Sequence, residues 1–167
     1  ACPAGFAEIA AGMRKVSWPR GEAWIAPGLS CRDAAGVPDV MRGEEVQILG
    51  ALAQLGPGAH LLCLPGTHSK WVEVRDGRIE RFATHMTGEA FAVLKAHSIL
   101  GRLMKEGPED PDAFADGVRR SADDGGLLHH LFGTRARGLF GELAEAAAAS
   151  YLSGMLVGHE IRAARGH

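Results

Sequence analysis

The hydrophobic positions of this chain recur with two periods, and each period predicts a different kind of element. Apolar residues spaced three or four apart predict helices over 6–13, 43–55, 112–121 and 126–132, a long helix opening at 87, and a helical run over 142–165. Alternating or continuous apolar runs predict strands over 24–29, 60–64, 70–75 and 78–84, with a polar loop over 32–38. This order of elements indicates a mixed α/β (α+β) fold.

The last three predicted strands should form an antiparallel sheet. Asp76-Gly77 is a two-residue sequence typical of a tight hairpin turn, so the strand over 70–75 should return as the strand over 78–84. Val72 and Val74 alternate with larger or polar residues, which gives this hairpin one apolar face. Because three strands cannot bury themselves alone, we expect helices to cover them.

Composition and charge exclude several classes of partner. The 167 residues carry a formal net charge of −2 and contain no basic block, so we expect neither nucleic acid nor a membrane as partner. The apolar-rich segment 144–157 is too short and too polar to span a bilayer. Cys2, Cys31 and Cys63 have no metal-ligand spacing, and their odd number argues against a complete disulfide framework. We therefore expect reduced thiols in a cytoplasmic protein. Cys63 should be a small buried residue of its strand.

The stretch Leu64-Pro65-Gly66-Thr67-His68-Ser69-Lys70-Trp71 joins two predicted strands through a glycine turn. Successive amides in a tight turn form a concave site for anions, so Gly66 and Thr67 are candidates for contacting a phosphate. The alternative is a plain hairpin turn in which Gly66 only supplies a backbone angle that the turn needs. His68 could act as an acid or base or simply pack. Lys70 could reach a phosphate or lie on the exposed hairpin surface.

Two neighbouring acids, Glu44 and Glu45, open the predicted helix over 43–55, directly after Met41, Arg42 and Gly43. Acids in the first turn of a helix are favoured by the helix dipole, which is the structural interpretation. The functional interpretation is that one carboxylate faces a cleft and takes a proton from a substrate hydroxyl. Arg42 beside them could then hold a substrate carboxylate through two hydrogen bonds.

Other polar residues are expected at helix starts and on helix faces. Asp39 is a candidate N-cap for the helix over 43–55, and Thr87 is a candidate cap for the next helix, with Glu89 supporting its first turn. Alternatively, Thr87 and Gly88 frame the same cleft as the glycine turn. The pair His129-His130 indicates an exposed helix face, and the histidines show no metal-binding pattern.

Several stretches taken together resemble one family. The most specific are Met41-Arg42-Gly43-Glu44-Glu45 and Pro65-Gly66-Thr67-His68-Ser69-Lys70-Trp71, supported by 24–29, 40–50 and 86–89, with weaker matches over 114–118 and 151–160. They resemble the 2-dehydro-3-deoxygalactonokinases, sugar-acid kinases of the actin/hexokinase/Hsp70-like superfamily. The resemblance implies a ribonuclease-H-like lobe with antiparallel hairpin strands flanked by helices. By this resemblance, residues 1–38 are the end of the first lobe and the connection to the second lobe. Residues 39–167 are a portion of the second lobe, with the phosphate-binding hairpin and the helical region.

The resemblance also implies an activity and a role for each candidate residue. The family transfers the γ-phosphoryl group of ATP to the 6-hydroxyl of 2-dehydro-3-deoxy-D-galactonate in galactonate catabolism, with Mg²⁺ bridging the phosphates. By this resemblance Glu44 is the catalytic base and Glu45 the reserve candidate. The resemblance also implies two sets of binding residues. The nucleotide is contacted by Gly66, Thr67, His68 and Lys70, and the sugar acid is contacted by Arg42, Met41 and Thr87.

The chain departs from the family pattern at both ends. The family begins with an Asp-x-Gly-Thr/Ser phosphate loop and ends with a glycine-rich adenosine-binding segment, and neither is found in this sequence. We therefore expect an internal portion of a kinase that is incomplete for ATP binding. One alternative is a non-catalytic module that binds a sugar acid. A further alternative is a hydrolase that uses Glu44 and His68. The sequence does not indicate the oligomeric state.

Overall fold

A computed structural model describes residues 1–165, and these divide into two compact units. The first unit holds residues 1–65 and 69–84, and the second holds residues 66–68 together with the described chain from 85 onwards. The fold is mixed, with antiparallel strands and helices, as the sequence predicted. The lobe boundary after residue 38 rests on the resemblance alone and stays a prediction.

The first unit contains two helices and seven strands, the last of which ends one residue inside the second unit. In chain order the elements are α1 (Phe6–Gly12), β1 (Arg14–Trp18), β2 (Gly21–Ile25), β3 (Leu29–Arg32), β4 (Pro38–Met41), α2 (Glu44–Leu55), β5 (Ala59–Leu64), β6 (Ser69–Arg75) and β7 (Arg78–His85). Strands β1 and β2 pair antiparallel, as do β3 and β4. Strands β5, β6 and β7 form a separate sheet in that order.

The predicted hairpin between β6 and β7 is confirmed, and so is its apolar face. Asp76 and Gly77 both have positive φ, at 47° and 79°, which is the backbone of the tight turn that fits the twist of paired strands. Val72 and Val74 are buried. They pack in one core with Ile48 of α2, so the helix covers the sheet.

Beyond the end of β7, the regular elements of the second unit are all helical within the described residues. Its elements are α3 (Thr87–His97), a 3₁₀ turn (Gly101–Leu103), α4 (Pro111–Arg120), α5 (Gly126–Leu139) and α6 (Ala148–Arg165). Asp110 caps α4 by accepting a hydrogen bond from the Ala113 amide at 2.9 Å, and Pro111 follows at the first helical position. Tyr151 and Met155 of α6 are buried in the core of this unit.

Several boundaries differ from those predicted. The strand predicted over 24–29 is β2, which ends at Ile25, and Leu29 already belongs to β3. The segment predicted as a loop, 32–38, is the connection between β3 and β4, strands that the sequence did not indicate. Helix α5 continues seven residues past the predicted end, to Leu139. The helical run predicted from 142 begins only at 148.

Three side chains lie in environments that the sequence did not predict. Cys63 is exposed, because the alternation along β5 turns Leu62 and Leu64 toward the core instead. His130 is fully buried, and its ring bonds the His159 ring and the Asp124 carbonyl, each at 3.0 Å. Asp39 is not a helix cap, since it lies in β4.

The Asp39 carboxylate instead ties β4 to β7. It accepts hydrogen bonds from the amide and the hydroxyl of Thr84, at 2.7 and 2.6 Å. Thr87 does not cap α3 either, because the N-cap residue is Met86 and no side chain caps this helix. Within residues 1–165, no helix is long and apolar enough to cross a membrane.

Candidate functional site

The first unit brings Arg42, Glu44, Glu45 and Lys70 together around the start of α2. The N-cap residue is Gly43, whose φ of 110° favours glycine, and no side chain caps the helix there. The glutamates at the first two helical positions bind amides that precede the helix. Their carboxylates meet very different surroundings.

Glu45 is fully buried, and both of its oxygens are used by the main chain. One accepts a hydrogen bond from the Gly43 amide at 2.6 Å, and the other from the Gly28 amide at 3.2 Å. Gly28 itself has a positive φ and lies against the Met41 carbonyl. Glu45 thus ties the start of α2 to the segment before β3, which is a structural task.

Glu44 keeps 28% of its side chain exposed, and its carboxylate contacts one backbone amide and one ammonium group. One oxygen accepts a hydrogen bond from the Arg42 amide at 3.0 Å, and the other lies 3.4 Å from the ammonium of Lys70. Burial raises the pKa of Glu44, but hydrogen bonds from its own amide and that of Arg42, together with the Lys70 charge, outweigh this and hold the pKa below its usual range. The carboxylate is therefore ionised at neutral pH and still reachable from solvent.

Arg42 and Met41 lie just before the glutamates in opposite environments. Arg42 is exposed, so its guanidinium is available to a ligand. Met41 is 3% exposed and packs in the core with Leu29 and Ile48, so only its backbone could meet a substrate. The proposed contact of Met41 with the sugar acid is thus restricted to main-chain atoms.

The second unit holds the glycine turn against the start of α3. Gly66, Thr67 and His68 are exposed, and the Thr67 carbonyl accepts a hydrogen bond from the Glu89 amide at 3.0 Å. The Glu89 carboxylate also bonds the His68 ring. One residue of α3 therefore holds the turn at two points, through its backbone and through its side chain.

Gly66 and Gly88 serve the turn in different ways. Gly66 is not among the glycines with positive φ, so the hypothesis that it merely supplies a special backbone angle is wrong. A Cβ at Gly66 would meet nothing within 4 Å, which leaves open space beside the turn. A Cβ at Gly88 would lie 2.6 Å from the Gly66 carbonyl oxygen and 2.8 Å from the Thr67 Cα, so α3 packs tightly on the turn there.

The exposed glycine turn and the start of α3 have the geometry of an anion site. The exposed turn lies beside the first amides of α3, and backbone amides at a helix start favour anions. Thr87 is the first residue of that helix and partly buried. In the described part of the chain no group of three or more His, Cys, Asp or Glu side chains converges to hold a metal ion.

Sequence reasoning missed the contribution of Glu89 and of Asp39. Glu89 was interpreted as an acid that supports the first turn of its helix, and its bond to His68 spans 21 residues of sequence. Asp39 was interpreted as a cap, and its bonds to Thr84 span 45 residues. Both contacts join segments that are distant in the sequence, and hydrophobic periodicity predicts local elements but not such contacts.

Replacing Glu45 by Ala should destabilise the fold without acting on chemistry. The change removes the carboxylate that accepts hydrogen bonds from the amides of Gly28 and Gly43, and a hydrogen bond to a charged group contributes about 1.5–3 kcal/mol. Urea unfolding followed by circular dichroism should show a lower midpoint. Gln47→Ala, at an exposed position of the same helix, is the matched control and should change stability by less than about 0.5 kcal/mol. Equal midpoints for the two variants would contradict the structural role of Glu45.

Comparison with known proteins shows the family of this chain. A crystal structure of a candidate 2-dehydro-3-deoxygalactonokinase from Sinorhizobium meliloti matches with a TM-score of 0.89 and 44% sequence identity, over 99% of this chain and 56% of that one. The family model for 2-keto-3-deoxy-galactonokinase matches residues 1–167, and the chain belongs to this family.

Two curated relatives agree with this assignment. The candidate 2-dehydro-3-deoxygalactonokinase DgoK1 of Rhizobium meliloti (strain 1021) is 45% identical over 166 residues, which cover 97% of this chain and 54% of that protein. The 2-dehydro-3-deoxygalactonokinase of Escherichia coli (strain K12) is 37% identical over 163 residues, covering 98% of this chain and 54% of that protein. The chain thus spans about half the length of the curated relatives it matches.

Proposed function

We propose that this chain is the part of a sugar-acid kinase that activates the acceptor hydroxyl and binds phosphate. The reaction is transfer of the γ-phosphoryl group of ATP to the 6-hydroxyl of 2-dehydro-3-deoxy-D-galactonate. The observation that carries the proposal is the family match over residues 1–167. We further propose that the strands and helices belong to a ribonuclease-H-like lobe of the actin/hexokinase type, and that the protein acts in the cytoplasm.

Glu44 is the base in this proposal. Its carboxylate is ionised and partly exposed, whereas Glu45 is buried with both oxygens occupied by amides. Glu44 accepts the proton of the 6-hydroxyl as that oxygen bonds to the γ-phosphorus. The bond from phosphorus to the oxygen it shares with the β-phosphate breaks at the same time, and ADP leaves with that electron pair.

The other residues bind and orient the reactants. The exposed guanidinium of Arg42 pairs with the carboxylate of the sugar acid, since this side chain is suited to holding carboxylates through two bonds. The amides of Gly66 and Thr67 bind phosphate oxygens, with His68 held beside them by Glu89. Thr87, the first residue of α3, is a further proposed contact of the sugar acid. Mg²⁺ bound with ATP would neutralise phosphate charge.

The test is a coupled assay of ADP release with ATP, Mg²⁺ and 2-dehydro-3-deoxy-D-galactonate. It is run on this chain and on the product of the complete gene, with circular dichroism to establish that both are folded. ADP release that depends on the sugar acid supports the proposal. No release from a folded complete product would overturn it, and calorimetry of the sugar acid with this chain would then test the binding-module alternative.

Replacing Gly88 by Ala should weaken phosphate binding. The added Cβ would overlap the Gly66 carbonyl and the Thr67 Cα, so the turn must shift from its position on α3. We expect the KM for ATP in the product of the complete gene to rise about tenfold or more, because displaced amides contribute little binding free energy to the phosphate. Gly50→Ala, in α2 with nothing within 4 Å of the new Cβ, is the control and should leave KM unchanged. An unchanged KM in Gly88→Ala would argue against a phosphate site at this turn.

A further inference from the structure

Lys70 lies on the buried face of β6, where a charged side chain is unexpected. Side chains on a strand alternate between two faces, so Lys70 shares its face with Val72 and Val74. Both valines are at most 2% exposed, and Lys70 itself is 4% exposed. The sequence pattern left Lys70 as either a phosphate ligand or a residue of the exposed hairpin surface, and its burial excludes the second.

The position of Glu44 on α2 explains this burial. Glu44 precedes Ile48 by one helical turn, and Ile48 packs in the same core as Val72 and Val74. The ion pair between Glu44 and Lys70 therefore forms at the end of the apolar contact between α2 and β6, with 3.4 Å between carboxylate oxygen and ammonium nitrogen. A buried ammonium is costly unless it is paired, and Glu44 supplies the opposite charge.

The two members of this pair differ in their access to solvent. The side chain of Glu44 is 28% exposed and that of Lys70 is 5% exposed. A ligand arriving from solvent therefore meets the carboxylate, with the ammonium behind it. The Arg42 amide holds the second oxygen of Glu44 at 3.0 Å, so the carboxylate is oriented from two sides.

We propose that Lys70 is a positioning residue that acts through Glu44, keeping its carboxylate ionised and oriented toward the acceptor hydroxyl, and does not bind phosphate. This inference rests on the proposed function, in which Glu44 is the base. An anionic sugar acid beside Glu44 would favour the protonated carboxyl, because like charges disfavour ionisation. The fixed positive charge of Lys70 opposes that change while the acceptor is bound.

The first test measures Glu44 directly in this chain. Carboxyl-carbon NMR across a pH titration should show the pKa of Glu44 rising in Lys70→Met, because one of the groups that lower it is gone. Lys15→Met is the matched control, since it removes an exposed lysine that pairs with Glu22 in the same unit. It should leave the Glu44 pKa unchanged. If Lys70→Met does not fold, Lys70→Gln serves with the same expectation, and an unchanged Glu44 pKa in a folded variant would overturn the inference.

The second test separates positioning from phosphate binding in the complete product. Lys70→Met should lower kcat about 10- to 100-fold, leave the KM for ATP unchanged, and move the acidic limb of the kcat profile to higher pH. Lys70→Arg should restore part of kcat, because it returns the charge. A raised KM for ATP with an unmoved acidic limb would show that Lys70 binds phosphate instead.

Failure of this inference is distinguishable from failure of the proposed function. Full turnover in Glu44→Gln would remove Glu44 as the base whatever the NMR titration of Lys70→Met shows. An unmoved Glu44 pKa together with an inactive Glu44→Gln would retain the base and reject the role of Lys70.

Discussion

Glu44→Gln is expected to lower turnover by about 10²- to 10⁴-fold in the product of the complete gene, with KM values little changed. The amide keeps the size of the side chain and can still accept the hydrogen bond from the Arg42 amide. It cannot take the hydroxyl proton, so the loss falls on the chemical step. Steady-state kinetics with separate determination of kcat and both KM values makes the measurement.

The pH dependence of kcat in the wild-type protein is a second test of the role of Glu44. Because the pKa of Glu44 is lowered, its carboxylate protonates at lower pH than an ordinary glutamate does. We therefore expect kcat to be lost at lower pH than an ordinary glutamate base would give. For the Glu44→Gln measurement, Gln47→Ala on the exposed side of α2 is the control for nonspecific effects of a substitution in this helix. Wild-type turnover in Glu44→Gln would remove Glu44 from the mechanism.

Gly154→Ala is expected to destabilise the second unit more than any exposed substitution. An added Cβ would lie 1.9 Å from the carbonyl oxygen of Phe114, a backbone atom that cannot move without shifting α4. Gly117 makes the reciprocal approach, with its Cβ position 2.1 Å from the Tyr151 carbonyl oxygen. Helices α4 and α6 thus meet through two glycines. Overpacking of this kind costs about 1–3 kcal/mol, and more where the backbone must move.

Thermal or urea unfolding of this chain measures the effect, and the chain offers a matched control. Gly133 lies in α5, and a Cβ there would meet nothing within 4 Å. Gly133→Ala should therefore be neutral or stabilising by up to about 1 kcal/mol, through the helix propensity of alanine. Equal destabilisation by the two substitutions would show that the close approach of α4 and α6 does not limit stability.

The sequence predicted local elements well where a regular pattern persisted. Helix α2 was expected over 43–55 and runs from Glu44 to Leu55, and the Asp76-Gly77 turn has the backbone its sequence favours. Strands β1, β3 and β4, which have four or five residues each, were not predicted from the sequence. The buried environment of His130 was missed because its partner His159 lies 29 residues away.

The sequence by itself determined the helices, the strands β5, β6 and β7, the hairpin with its apolar face, and the family to which the motifs belong. These depend on periodicity and on short motifs, which are local properties. Only the tertiary structure distinguished the two neighbouring glutamates, by burying Glu45 against the Gly28 amide and leaving Glu44 partly exposed. It also placed Lys70 against Glu44 and Glu89 against His68. These contacts join residues that are 17 or more positions apart in the sequence, and packing of the whole chain decides which of them form.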